Sequence, residues 1–172
     1  MLKVILLFIL SCNTLYANPL KNKCTNVVDK MLGSNSKYDQ SREERLKVCE
    51  SVLIWSFVYK VDYSLSLAIA WHESRFTNQV KGPWKGPLQI TTKYWCENEK
   101  GVWSPNKADG YEPSCDLVSR GVFAIKFLSN QHGQGTDRML CAYAGYRDCN
   151  DPRIKSYVMD VNKIRKRIRL SL

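Results

Sequence analysis

Ser64-Leu65-Ser66-Leu67-Ala68-Ile69-Ala70-Trp71-His72-Glu73-Ser74-Arg75-Phe76 is the stretch on which the reading of this 172-residue chain turns. Its apolar run predicts a buried helix that ends near Ser74, and Asp62 stands where a side chain can cap the first free N–H groups. Glu73 sits at the tip. The residues on its own face, three, four and seven positions earlier, are Ala70, Ile69 and Ser66, so that face is nearly apolar. A carboxyl placed there loses hydration, which raises its pKa and favours the protonated form near neutrality.

Helical patterns continue on both sides. Upstream, Leu20–Leu32 predicts a short helix, and 33–40 is a polar break. Ser41-Arg42-Glu43-Glu44 reads as a capping box that opens a second helix, with Leu46, Cys49, Val52, Leu53 and Phe57 as its core-facing stripe. Downstream, 77–113 holds four of the 6 prolines and four of the 9 glycines, and predicts loops and turns with at most a short β element. A helix from about Asp116 to Gln131 follows, with Val118, Val122, Ile125 and Leu128 among its apolar positions, and Gly133-Gln134-Gly135 ends it. Asp151-Pro152 can open a last helix. Ile154, Val158, Val161, Ile164 and Ile168 line one face of it, and its cations gather near the C-terminus, where the helix dipole favours them. The fold class expected is mainly α, in one domain with a loop-rich insert.

The N-terminus reads as an address. Lys3, the apolar Val4–Leu10 and Leu15-Tyr16-Ala17 together predict a signal peptide over 1–17, leaving 18–172 as the folded domain. The apolar stretch is far below the roughly 20 residues of a membrane span. Cys12 raises lipid attachment as a lesser alternative. Removal of 1–17 takes away Cys12 and leaves Cys24, Cys49, Cys96, Cys115, Cys141 and Cys149, an even set that suits an oxidising compartment. Sequence proximity pairs Cys141 with Cys149 and Cys96 with Cys115, and so leaves Cys24 with Cys49. There is no Cys-x-x-Cys, and neither histidine has a partner at ligand spacing, so no metal or other cofactor is expected. The net charge of +10 suits an anionic polymer such as cell wall, or a membrane surface. No nucleic-acid-binding signature accompanies it.

Three segments carry candidate chemistry. A protonated Glu73 is what a glycosidic leaving oxygen needs. Taken alone, a glutamate at a helix end is an ordinary surface residue or a partner for Arg75. Gly86-Pro87-Leu88-Gln89 adds a tight turn and a long amide that can donate and accept. Tyr143 adds a phenol that can orient the acid, and Trp84, Trp95 and Trp103 offer faces for sugars or for local packing. His72 lies about 100° around the helix from Glu73 and is expected to pack or to face solvent. His72-Glu73 lacks the second histidine of a zinc protease, and Gly133-x-Gly135 lacks the third glycine of a nucleotide loop.

In this order, Ala68–Phe76, Gly86–Ile90 and Ala142–Gly145 resemble the three signatures of soluble-lytic-transglycosylase-type domains, which share a fold with goose-type lysozymes. The resemblance covers about 60–150. It implies a lysozyme-like domain, working outside the cell or in a periplasm as a monomer on peptidoglycan glycan strands, with anionic wall polymers as further partners. It also implies that Glu73 is the catalytic acid/base, with Ser74, Gly86, Leu88, Gln89 and Tyr143 holding substrate or shaping the site. The activity implied is cleavage of the β-1,4 bond between N-acetylmuramic acid and N-acetylglucosamine, with a 1,6-anhydro product. Two departures stand out: Pro87-Leu88 replaces the usual Leu-Met, and the asparagine usual after the tyrosine is absent, which points to an altered substrate preference. A hydrolytic muramidase on the same scaffold is the alternative. It needs a second carboxylate, with Glu97, Glu99, Asp109, Glu112 and Asp116 as the candidates. A cationic wall- or membrane-binding protein without catalysis is a third reading.

Overall fold

The computed structural model describes residues 19–33, 41–78, 80–91, 95, 116–146 and 148–172. The expected signal peptide, Cys96, Cys115 and most of the loop-rich insert lie outside these residues. The described chain is mainly helical. Helix α1 covers 19–32, and α2 (Arg42–Val58) and α3 (Tyr63–Ser74) follow. Three two-residue strands come next: β1 (Val80–Lys81), β2 (Trp84–Lys85) and β3 (Ile90–Thr91). Then come α4 (Leu117–His132), α5 (Asp137–Tyr143) and α6 (Pro152–Arg169). No described helix is long and apolar enough to cross a membrane.

Helix α3 is the axis of the fold. Every residue from Ser64 to Trp71 is buried. A helix apolar on all sides must be surrounded, and α2 and α6 pack against it. Asp62 caps it as expected, accepting from the N–H groups of Ser64 and Leu65. The same carboxylate pairs with Arg165 at 2.6 Å and Arg169 at 2.8 Å. Burial pushes the Asp62 pKa up, but hydrogen bonds from Ser64, Arg165 and Arg169 outweigh it and hold the carboxyl well below its usual range. The C-terminal turns of α6 are thereby clamped to the start of α3, so the two helices run antiparallel. Ile154, Val158, Val161 and Ile168 are buried on the inner face of α6.

Helix α4 packs on α2 and carries α5. Asp116 and Asp151 cap α4 and α6 with their carboxylates, and Gly133 ends α4 at φ 85°. Cys24–Cys49 ties α1 to α2, and Cys141–Cys149 ties α5 to the approach to α6. Both match the pairing by proximity. The strands form one antiparallel sheet in the order β1-β2-β3, with Lys81 opposite Trp84 and Lys85 opposite Ile90.

Three expectations change. Ser41 makes no side-chain cap bond: its backbone (φ −91°, ψ 6°) is not in the extended form that aims an N-cap oxygen at the next turn. Glu44 instead accepts from the Asn78 N–H at 2.8 Å, tying α2 to the chain after α3. Phe57 is not a core residue but 86% exposed. Ser56 takes the inward position, its hydroxyl satisfied by the Val52 carbonyl at 2.6 Å. Finally, a further helix stands between the last two expected ones, over 137–143, capped by Thr136 through the Met139 N–H.

Candidate active site

The last turn of α3 delivers Glu73 to an open cleft of about 590 Å³. The chain turns sharply just beyond it. Arg75 and Phe76 both take the left-handed conformation, at φ 59° and 60°, and the turn buries Phe76 against Trp71. A third non-glycine residue in that region, Gln89 at φ 48°, stands on the cleft wall. Each such residue costs on the order of 1 kcal/mol or more, and such strain clusters at functional sites.

Burial raises the Glu73 pKa, and a phenol donor from Tyr157 and the positive charge of Lys81 oppose it only in part. The Glu73 side chain is 21% exposed, so the carboxyl is desolvated yet reachable. Lys81 Nζ donates to the Glu73 carbonyl at 3.3 Å. Tyr143 donates to the Leu88 carbonyl at 2.7 Å. Burial, with the Glu73 charge adding to it, pushes the Tyr143 phenol pKa well up, so it stays protonated. The Tyr157 hydroxyl is buried, and its donation toward Glu73 is looser than an ordinary hydrogen bond but still favours the charged carboxylate. Two protonated phenols therefore stand near one carboxyl, with the Tyr143 proton taken by the Leu88 carbonyl.

The sequence-predicted residues divide into two groups. Glu73, Gln89, Tyr143 and Trp84 line the cleft. Ser74, Gly86 and Leu88 are buried, and their side chains do not reach it. They build its frame. Ser74 Oγ donates toward the Ala70 carbonyl at 3.1 Å and the Pro87 carbonyl at 2.8 Å, fastening the tip of α3 to the 86–89 turn. Gly86 closes that turn at φ 74°, and its carbonyl accepts from the Gln89 backbone N–H at 3.2 Å and side-chain amide at 2.7 Å. Trp95 packs edge-on against Phe123 and Phe127, and Trp103 lies outside the described residues.

His72 both packs and lines the cleft. Its ring meets Tyr157 edge-on at 4.7 Å, and Nδ1 is 4.0 Å from Glu73 Oε1. Burial lowers its pKa, the Asp160 charge opposes this, and Arg75 and Lys81 add to the lowering, so the ring is neutral near pH 7. Its contact with Glu73 is then not an ion pair.

Tyr157, Asp160 and Gly121 escape a reading of local pattern. Tyr157 and Asp160 stand one turn apart on α6 and line the cleft. Tyr157 follows Ile154 by three positions and precedes Val161 by four, so its place on the inner face of the amphipathic helix was the available signal. Asp160 brings a second carboxylate to the cleft. Asp116 instead caps α4, and Glu97, Glu99, Asp109 and Glu112 lie outside the described residues. Gly121 on α4 lets Leu88 nest on the helix: a Cβ there would stand 2.5 Å from the Leu88 Cβ. Ala144 gives the cleft a small apolar wall beside Tyr143.

This arrangement favours the protonated form of Glu73 and leaves its carboxyl reachable from the open cleft. Compared with known protein families, with curated proteins and with solved structures, the chain matches none.

Proposed function

We propose that this protein is an exported enzyme that cleaves peptidoglycan glycan strands, with Glu73 as its acid/base. The observation that carries the reading is the Glu73 carboxyl itself: desolvated, near two protonated phenols and open to a cleft of about 590 Å³. The ordered resemblance of the Glu73, Gln89 and Tyr143 segments to soluble-lytic-transglycosylase-type domains, with their lysozyme-like fold, supports it. The two described disulfides and the basic charge suit a protein of an oxidising compartment that meets an anionic wall.

In this reaction Glu73 gives its proton to the glycosidic oxygen as the bond from that oxygen to muramic C1 breaks. The carboxylate then takes the proton of the muramic C6 hydroxyl as that oxygen bonds to C1. The products are a 1,6-anhydro end and a free 4-hydroxyl, and Glu73 finishes protonated. One carboxylate suffices because the substrate carries its own nucleophile. Gln89 and Trp84 line the cleft and would contact the sugar rings in this reaction, and Tyr143 holds the turn that carries Gln89.

Asp160 favours a second reading, hydrolysis. A second carboxylate in the cleft can position a water against C1, which gives a reducing end instead. Mass spectrometry of purified sacculi, native and deacetylated, separates the two by their ends. Glu73→Gln is the control: clearance of walls at the native rate by that variant would refute the enzymatic reading, and leave a cationic wall-binding protein in its place.

A further inference from the structure

At the far end of α3 from Glu73, the surface is apolar where water should meet it. Phe57 is 86% exposed, Val58 51%, Ile54 49% and Tyr63 45%. Single exposed apolar side chains are ordinary, but a contiguous patch marks an interaction surface. Ile54, Phe57 and Val58 fall on one side of the last turns of α2. Phe57, Val58 and Tyr63 border a groove of about 550 Å³, to which Leu20 of α1 also contributes.

Cations edge this groove, and no acidic side chain lines it among the described residues. Lys23 and Lys60 stand on it, with Lys23 Nζ 5.8 Å from the centre of the Tyr63 ring. Lys60 occupies a left-handed position at φ 54°, beyond the end of α2, where glycine would sit without strain. The position thus accepts backbone strain and keeps a cation beside Phe57. Lysine stems lie along apolar surface while their ammonium groups reach a polar boundary, the arrangement that interfacial segments use on anionic lipid.

We propose that this face seats the protein on an anionic lipid bilayer. Charge complementarity selects the lipid surface over an apolar protein partner, since the rim offers only cations. Tyr63 and Glu73 stand at opposite ends of α3, about 15 Å apart along its axis. The seated protein then presents its cleft away from the bilayer. The proposal stands whether or not Glu73 cleaves glycan.

The test is flotation of the full chain, as processed on export, with vesicles of phosphatidylcholine alone or mixed equally with phosphatidylglycerol. The native chain is expected to float with the anionic vesicles only. Phe57→Glu should lower its partition about tenfold, with the melting temperature unchanged because the side chain is exposed. Lys23→Gln with Lys60→Gln should lower partition severalfold and flatten its salt dependence. Undiminished flotation of Phe57→Glu overturns the proposal, as does equal binding to neutral vesicles. A native dimer that ignores vesicles, and that Phe57→Glu dissociates, also overturns it and makes a second copy the occupant.

Discussion

Gly121→Ala sets two effects of opposite sign against each other. In a helix interior alanine is favoured over glycine by about 1 kcal/mol, so propensity alone predicts a more stable protein. The packing predicts the reverse. An alanine Cβ would lie 2.5 Å from both Cβ and Cδ1 of Leu88, and ordinary contact begins at 3.4 Å, so the gap is about 0.9 Å too short. Rotation of the leucine relieves the Cδ1 contact but not the Cβ contact, which is fixed to the backbone. The 86–89 turn must therefore move. Overpacking of this kind costs about 1–3 kcal/mol, which outweighs the propensity gain and leaves a net loss near 1 kcal/mol. For a chain of this length that lowers the melting temperature by about 3 °C. The functional effect is larger, because the Leu88 carbonyl receives the Tyr143 phenol and Gln89 follows it on the cleft wall. Displacement of site groups by about 1 Å can cost as much as 100-fold in rate, so a fall of about 10- to 100-fold in wall clearance is expected. Scanning calorimetry and turbidity clearance of sacculi are the assays. A variant that melts above the native protein and clears at the native rate refutes the reasoning.

Four further outcomes follow from the structure. The Glu73 carboxyl has a raised pKa, so the folded state holds its proton more tightly than the unfolded state, and this group's contribution to stability falls as pH rises from about 4.5 through the raised value. Glu73→Gln should therefore gain more melting temperature, relative to native, at about pH 7 than at about pH 4; equal gaps at both pH values contradict the burial argument. Tyr157→Phe removes a donor that holds the Glu73 pKa down, so the alkaline limb of the clearance–pH profile should move to higher pH as the maximal rate falls, which loss of packing alone would not produce. Replacing Cys141 and Cys149 by serine should cost about 2.5 kcal/mol and lower clearance, since that bridge holds the end of α5 that carries Tyr143. Replacing Cys24 and Cys49 opens a longer loop and should cost about 3.5 kcal/mol, while clearance well below the melting temperature stays near native.

Much of the helical frame is legible because its signals are local. Asp62, Asp116 and Asp151 each cap the helix that begins beside them, since the bonds involved reach only two or three residues. Glu73 lies at the tip of an apolar helix in the sequence and in the structure alike. The local signals fail where a distant element competes for the same group. Glu44 has the spacing for a capping box, but the Asn78 N–H takes its carboxylate. Phe57 has the period of a core residue, yet no described element packs over it, and it stands exposed. Ser74 and Leu88 sit beside the chemistry in sequence, but their hydroxyl and side chain turn inward to join the 86–89 turn to α3 and α4.

The sequence by itself determined where the longer helices lie and which carboxyl loses its water, and proximity along the chain pointed to the two described disulfides, because periodicity, caps and a helix's own face act within a few residues. Only the tertiary structure decided what surrounds that carboxyl. Tyr157 and Asp160 reach Glu73's cleft because α6 runs antiparallel to α3, in a register set at the far end by Asp62 with Arg165 and Arg169 and along the seam by Val158 and Val161. Those contacts join residues about a hundred positions apart, and no pattern within either helix encodes which turn of one meets which turn of the other.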